Sequence, residues 1–257
     1  MQLTFGSGEL FAQMIRDAAG NVITNPTPIR IAGLQELSLD FSGELKEFYG
    51  QNRYALATAM GKVKTTGKMK GALINGLALN NLFFGNNMAT GTMKALYADT
   101  NGIAIPSSTP YTITTTPLNS GTFIEDLGVV NANGQTMVKV AASPVSGQYS
   151  VDASGNYVFA AADAGLQVYR SYSYSYSLAS AKQITLNNIA MGQAPQIKIA
   201  YLAQYQGKKC LVELESITST KLHMFSAKSD DFSVPEIDFS ASTDAAGFKL
   251  GTIWVQE

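Results

Sequence analysis

The stretch Leu166–Leu178, LQVYRSYSYSYSL, places a large residue at every second position from end to end. Period two is the repeat of an extended strand. It puts Leu166, Val168, Arg170, Tyr172, Tyr174, Tyr176 and Leu178 on one face and Ser171, Ser173, Ser175 and Ser177 on the other. The run is longer than the roughly five or six residues usual for a strand. Its serine face is too polar for a core and has no charge to guard an exposed edge. Two readings stay open: a long amphipathic strand of an ordinary sandwich, or a surface used in assembly. Either way the chain is built to make β-sheet.

Working outward, strands and turn signals dominate. In Ile29–Phe41 the odd positions Ile29, Ile31, Leu37, Leu39 and Phe41 are apolar, which predicts a half-buried strand broken near Gly33. Tyr54–Ala72 predicts a long extended segment or hairpin. Lys62, Lys64, Lys68 and Lys70 share one face of it if no bulge at Gly67 resets the alternation. INGLALNNLFFG predicts the one helix, with Asn75 as N-cap, Leu77, Ala78, Leu82 and Phe84 as its apolar stripe and Gly85 as its stop. Between about Tyr97 and Ser180 short β-runs alternate with turns at Asn101-Gly102, Asn133-Gly134 and Ser154-Gly155-Asn156. Later strands are expected over Gln196–Tyr201, Lys209–Glu215, Lys221–Ala227, Ser233–Ala241 and Lys249–Val255. Met1–Pro28 alternates poorly and carries Gly6, Gly8, Gly20, Pro26 and Pro28, so it is expected to be an arm and loop ordered by a neighbour. The resulting division is residues 1–95 as the first part of a β-domain, 96–180 as a β-rich insertion and 181–257 as the second part.

Composition narrows the function classes. With 257 residues the chain can bury a core without covalent staples, and the single Cys210 cannot pair within it. A reducing compartment of synthesis fits, with Cys210 in a packing role. MQLTFGSGELFAQMIRD lacks a basic start followed by an apolar stretch, and no run of apolar residues is long enough for a membrane helix. The expectation is a protein made and retained inside a cell, without membrane attachment. A net charge of −1 and a charged fraction of 14% exclude a strong overall field towards nucleic acid, and few charges suit surfaces that neighbours cover.

No catalytic set emerges. The sole histidine, His223, alternates between Leu222 and Met224 as a strand residue, and a metal site would rest on carboxylates alone. There is no G-x-S-x-G elbow, and Gly6-Ser7-Gly8 extends to no phosphate loop. The reading is therefore a non-enzyme with no cofactor and no metal. Glu236 and Asp238, two apart on an expected strand, point the same way; a solvated or lumen-facing acidic strip is their simplest reading. The lysine row is the best case for phosphate contacts. It lacks arginine and interleaved aromatics, and like charges on one face more simply meet the carboxylates of a neighbouring strand or subunit.

Three segments in order resemble one family. FSGELKEFYGQNRYALATAMGKVKTTGKMKGALINGLALNNLFFG (residues 41–85) resembles the N-terminal half of tail tube, or major tail, proteins of tailed bacteriophages. KLHMFSAKSDDFSVPEIDFSASTDAAGFKLGTIWV (221–255) resembles their C-terminal half, and residues 122–177 resemble a β-rich segment common in phage structural proteins. The resemblance implies a mainly β, tail-tube-like sandwich or barrel with one short flanking helix, here carrying a β-rich insertion. It also implies self-assembly into stacked hexameric rings around a DNA conduit in the virion tail, put together in the host cytoplasm, with arms bridging successive rings. The partners implied are further copies, the tape measure, baseplate or tip and terminator proteins, a sheath in contractile tails, and genomic DNA passing without specific binding. On this reading Tyr172, Tyr174, Tyr176, Lys62, Lys64, Lys68 and Lys70 are interface candidates, and Glu236 and Asp238 are lumen candidates. The competing readings are a head or baseplate protein and a glycan-binding β-domain.

Overall fold

The computed structural model describes residue 6 and residues 8–71, 76–188, 191–225 and 232–256. It is mainly β, 58% strand and 6% helix, in several antiparallel sheets, with one short helix and no closed barrel among the described residues. The strands run in chain order as β1 (Glu9–Arg16), β2 (Ile29–Ile31), β3 (Leu34–Tyr49), β4 (Ala55–Gly71), β5 (Met88–Ala98), β6 (Ile103–Ala104), β7 (Thr112–Thr114), β8 (Thr122–Asn131), β9 (Val138–Lys139), β10 (Gln148–Val151), β11 (Asn156–Phe159), β12 (Gln167–Ile184), β13 (Gln196–Tyr205), β14 (Lys208–His223), β15 (Glu236–Ser242) and β16 (Gly251–Val255). The helix α1 (Gly76–Leu79) continues as a π-helical turn, Asn80–Phe84. The chain forms two compact units, residues 1–88 with 184–257, and residues 89–183.

The first unit is built on one eight-stranded sheet in the order β2-β1-β13-β14-β15-β4-β3, with β16 also paired to β14. One face is apolar: Leu10, Ala12, Met69, Ile197, Ile199, Leu214, Ile217, Ile237 and Phe239 are buried there and cluster with Leu82. The alternation of each strand supplies this face, and the helical segment adds Leu79 and Leu82 to the buried set. The expected stripe is therefore shifted. Leu77 is partly exposed, and the wider π turn brings in Leu79 instead. Gly85 ends the segment with φ of 61°, as a left-handed cap requires, and Asn80 closes the turn by bonding Asn86 through both ends of its amide. The proposed N-cap, Asn75, lies outside the described residues.

One sequence expectation fails here. Glu9–Arg16 is no arm: it is an inner strand between β2 and β13, with Leu10 and Ala12 buried in the core. Its alternation hides behind a small inward residue, Ala12, and a large outward one, Phe11. Gly67 sits in an unbroken ladder. A Cβ there would run into the Phe239 ring, so the glycine makes room for a core aromatic across the strand. The bulge lies instead at Gly61–Lys62, where the register between Gly43–Val63 and Leu45–Met60 shifts. It leaves Lys62 on the face of Lys64, opposite to Val63 and Met60, and changes the alternation only beyond it.

The second unit holds a sheet of β7, β11, β10 and β9, and a second sheet in which β12 pairs with β5, β6 and β8. Its core is Ile105, Ile113, Val129, Met137, Tyr149, Tyr157, Phe159 and Val168. The tyrosine strand is thus a central strand. Its serine face needs no edge guard because neighbouring strands occupy its ladder.

Candidate assembly surfaces

The long β3–β4 hairpin is the most exposed regular structure in the first unit. β15 pairs with β4 only over Thr65–Lys70, so from Ala55 to Lys64 β4 has a single partner, β3. That leaves a two-stranded arm about 34 Å long at the rise of an antiparallel strand. A two-stranded ribbon is marginal in water because it has no third layer to bury its side chains. Here Phe41, Leu45, Phe48, Tyr49, Tyr54, Leu56, Met60 and Val63 are each between 53% and 81% exposed. Aromatic side chains alone carry about 150–250 Å² each, so the eight present on the order of 900 Å² of apolar surface, one partner's share of a standard protein interface. Monomeric proteins rarely leave so much uncovered.

The arm gathers Phe41, Leu45, Tyr49, Met60 and Val63 on one face, which continues the core face of the sheet, and carries Phe48 on the other. Leu45 faces Met60 across the ladder, and Phe48 faces Ala57 on the opposite side. Met60 lies over Gly43 and Leu56 over Gly50, close contacts that a Cβ on either glycine would block. Both long edges are free among the described residues: β3 ends the sheet, and β4 beyond Thr65 has lost β15.

On the polar face of the same sheet the charges neutralise one another. Lys68 pairs with Glu236 at 2.6 Å, Lys70 with Glu36 at 2.5 Å, Arg30 with Glu9 at 2.7 Å, and Glu215 bridges Lys198 and Lys249 at 2.8 and 2.7 Å. The Lys68 ammonium holds the Glu236 carboxyl below its usual range, and Lys198 and Lys249 do the same for Glu215. Asp238 stands opposite Lys68 and Lys221 in the two flanking ladders. The lumen candidates Glu236 and Asp238 and the interface candidates Lys68 and Lys70 therefore occupy one mixed strip, paired within the chain. Sequence spacing gave each strand's face correctly but not that β15 and β4 are neighbours. Lys62 and Lys64 remain exposed on the arm.

The tyrosines lie elsewhere. Tyr172 and Tyr174 are 2% and 5% exposed, inside the second unit, and Tyr176 is half-buried. Tyr172 stacks on Tyr97 with centroids 4.8 Å apart, and Tyr174 stacks on Tyr176 at 5.9 Å. Their rings are taken up by their own chain, which leaves Tyr172 and Tyr174 no surface for a second copy and corrects their assignment as interface residues.

Sequence reasoning also missed Asp126, the polar centre of this unit. Its carboxylate accepts hydrogen bonds from the Tyr149 and Tyr157 hydroxyls at 2.8 and 2.9 Å, from the Gly128 N–H at 3.0 Å, and faces Lys139 Nζ at 3.1 Å. Burial acts to raise its pKa, and these donors outweigh burial and lower it. Burial and the adjacent carboxylate push both tyrosines up. Arg170 lies over the Tyr157 ring, 5.5 Å from its centroid. Nothing in the Glu125-Asp126 dipeptide distinguishes this carboxylate from a surface one; only the ladder that sets Asp126 opposite Tyr172 turns it inward.

His223 is exposed at the end of β14, opposite Glu236. Among the described residues no three His, Cys, Asp or Glu side chains gather as a metal site, and no helix is long and apolar enough to cross a membrane. No protein-family model matches the chain, and no curated protein matches it.

Proposed function

We propose that the chain is the structural subunit of a bacteriophage tail tube, which assembles into stacked rings around a conduit for DNA. The observation that carries the proposal is the arm: a two-stranded ribbon with a broad exposed apolar face, and with both edges free among the described residues, is stable only against a partner. A self-assembling subunit supplies that partner in further copies. The internally neutralised polar face of the sheet supports the reading from another side. A conduit must not hold the phosphate backbone, and lysines already paired with carboxylates release no counterions on meeting DNA. The hexameric ring, the tape measure, baseplate and terminator partners and the place in the virion tail follow from the family resemblance of residues 41–85, 122–177 and 221–255. A head or baseplate protein would use the same arm to join a closed shell or a small ring.

Sedimentation velocity of the purified chain tests the proposal. Tube subunits give mass that grows with concentration into large polydisperse species. A monomer at every soluble concentration, or a single closed oligomer of fixed mass, contradicts it.

A further inference from the structure

A groove runs along the first unit beside the end of the helical segment. Its apolar part is lined by Phe83, Phe84, Leu186, Ala194 and Pro195, with the amides of Asn187 and Gln193 at the rim. Past Asn86, which lines both parts, it continues between Gly85 and Thr185 to Asp17. The walls are fixed before anything enters. Ala18 N–H donates to Gly85 O at 3.1 Å, Asn86 Nδ2 donates to Thr185 O at 2.9 Å, and the Ser219 hydroxyl donates to Leu82 O. The floor is nonetheless uncovered in the single chain: Leu186 is 69% exposed, and Phe83 and Phe84, packed edge to face, are half-buried.

Asp17 supplies a fixed negative charge at the far end. Hydrogen bonds from Asn21 and from the Ala19 N–H hold its carboxyl below the usual range, and the neighbouring Arg16 side chain is turned to Gly20 O. The groove therefore asks for a short element with an exposed aromatic beside one cation. The tip of the β3–β4 arm has that composition. Tyr54 is 81% exposed, Arg53 precedes it, and no acidic residue stands between Gly50 and Tyr54.

The strand register keeps a tip away from the groove of its own chain. Thr65 of β4 is level with Ala241 of β15 and, through it, with Ile217 of β14. Ten residues further out, Ala55 is level with the β13–β14 turn at Gln206-Gly207, while Pro195 and Ser219 border the groove at the other end of the same strands. About twelve residues of strand, roughly 40 Å, separate the two.

We propose that the arm tip of one copy seats in this groove of the next, with Tyr54 on the Phe83–Leu186 floor and Arg53 against Asp17. The proposal rests on the reading of the chain as a self-assembling subunit. Tip and groove share no residue and no strand edge, so each copy gives one and receives one, and the contact passes from copy to copy. Neighbours joined in this way are displaced by about 40 Å along the strands.

Single-cysteine variants in a Cys210→Ser background test the seating. Tyr54→Cys and Leu186→Cys chains, mixed, assembled and mildly oxidised, should cross-link about tenfold more than either alone. Leu186→Ser, at an exposed position, should weaken assembly about tenfold in sedimentation and leave melting at low concentration unchanged. Asp17→Asn keeps the Oδ1 contacts to Ala19 and Asn21 and removes the charge. It and Arg53→Gln should each weaken assembly about fivefold, and the two together no more than either. Assembly without the cross-link, parent-like assembly of Leu186→Ser, or charge effects that multiply would overturn the seating and leave the subunit reading intact. A disulfide inside dilute single chains carrying both cysteines would bring the tip to its own groove and also overturn it. A parent chain that stays monomeric overturns both.

Discussion

Replacing Leu45 and Met60 together by threonine separates the arm's role in assembly from any role in folding. The two face each other across the ladder and are 59% and 70% exposed, so most of their apolar surface has no partner in the single chain. Threonine keeps the strand propensity of the positions while removing apolar area. Burying a whole side chain of this size contributes about 1.5–3 kcal/mol relative to leaving it exposed. The portion still exposed here leaves roughly 1–2 kcal/mol per residue, or about 3 kcal/mol for the pair. At 1.4 kcal/mol per factor of ten, each contact between copies should weaken about a hundredfold. The fold of the single chain should change by no more than about 0.5 kcal/mol, as for other exposed positions. Sedimentation velocity across a concentration series reads the first quantity and thermal melting at low concentration reads the second. Assembly at the parent concentration would refute the reasoning, as would a melting loss that accounts for the whole effect.

Three other outcomes follow from particular contacts. Asp126→Ala strands two buried tyrosine hydroxyls and should destabilise the second unit by about 3 kcal/mol; adding Tyr149→Phe and Tyr157→Phe should recover much of it, because removing both partners is cheaper than removing one. No recovery in urea melts followed by tyrosine near-UV signal would show that the network is not what Asp126 supports. Because the folded-state pKa of Asp126 lies below its ordinary value, its contribution is complete above that value and lost as pH falls beneath about 4, so melts of the parent should weaken there more than those of Asp126→Ala. Gly67→Ala drives a methyl into the Phe239 ring and should cost about 1–3 kcal/mol, with Gly67→Ala/Phe239→Leu less affected by the added methyl than the parent; equal penalties in both backgrounds would discount the close approach. Assembled protein should retain duplex DNA weakly in gel-shift titrations at low salt, since Lys68 and Lys70 are engaged; strong binding that falls steeply with salt would make the lysines a nucleic-acid site.

Strand alternation carried much of this fold because a sheet buries one face at a time, so Ile29, Ile31, Leu37 and Leu39 announce their side without knowledge of the partner. The same logic correctly turned Tyr172 and Tyr174 to one face but could not say whose core that face would enter. It failed at β1, where Ala12 buries little and Phe11 faces outward. The arm was legible only as length. Its apolar residues Phe41, Leu45 and Tyr49 keep to the odd face that Leu37 and Leu39 begin, but that face runs on past the end of the core, and alternation does not say where burial stops. That β15 and β16 pair with successive stretches of β14 was invisible altogether, because it is set by contacts between residues distant in sequence.

The proposal that copies of this chain build a hollow tube is tested by electron microscopy of the purified, assembled chain. The expected images are long tubes with an open lumen and an axial repeat of stacked rings, whose averaged cross-section shows a cyclic symmetry. Dispersed monomers, closed shells or solid fibrils without a lumen would contradict it.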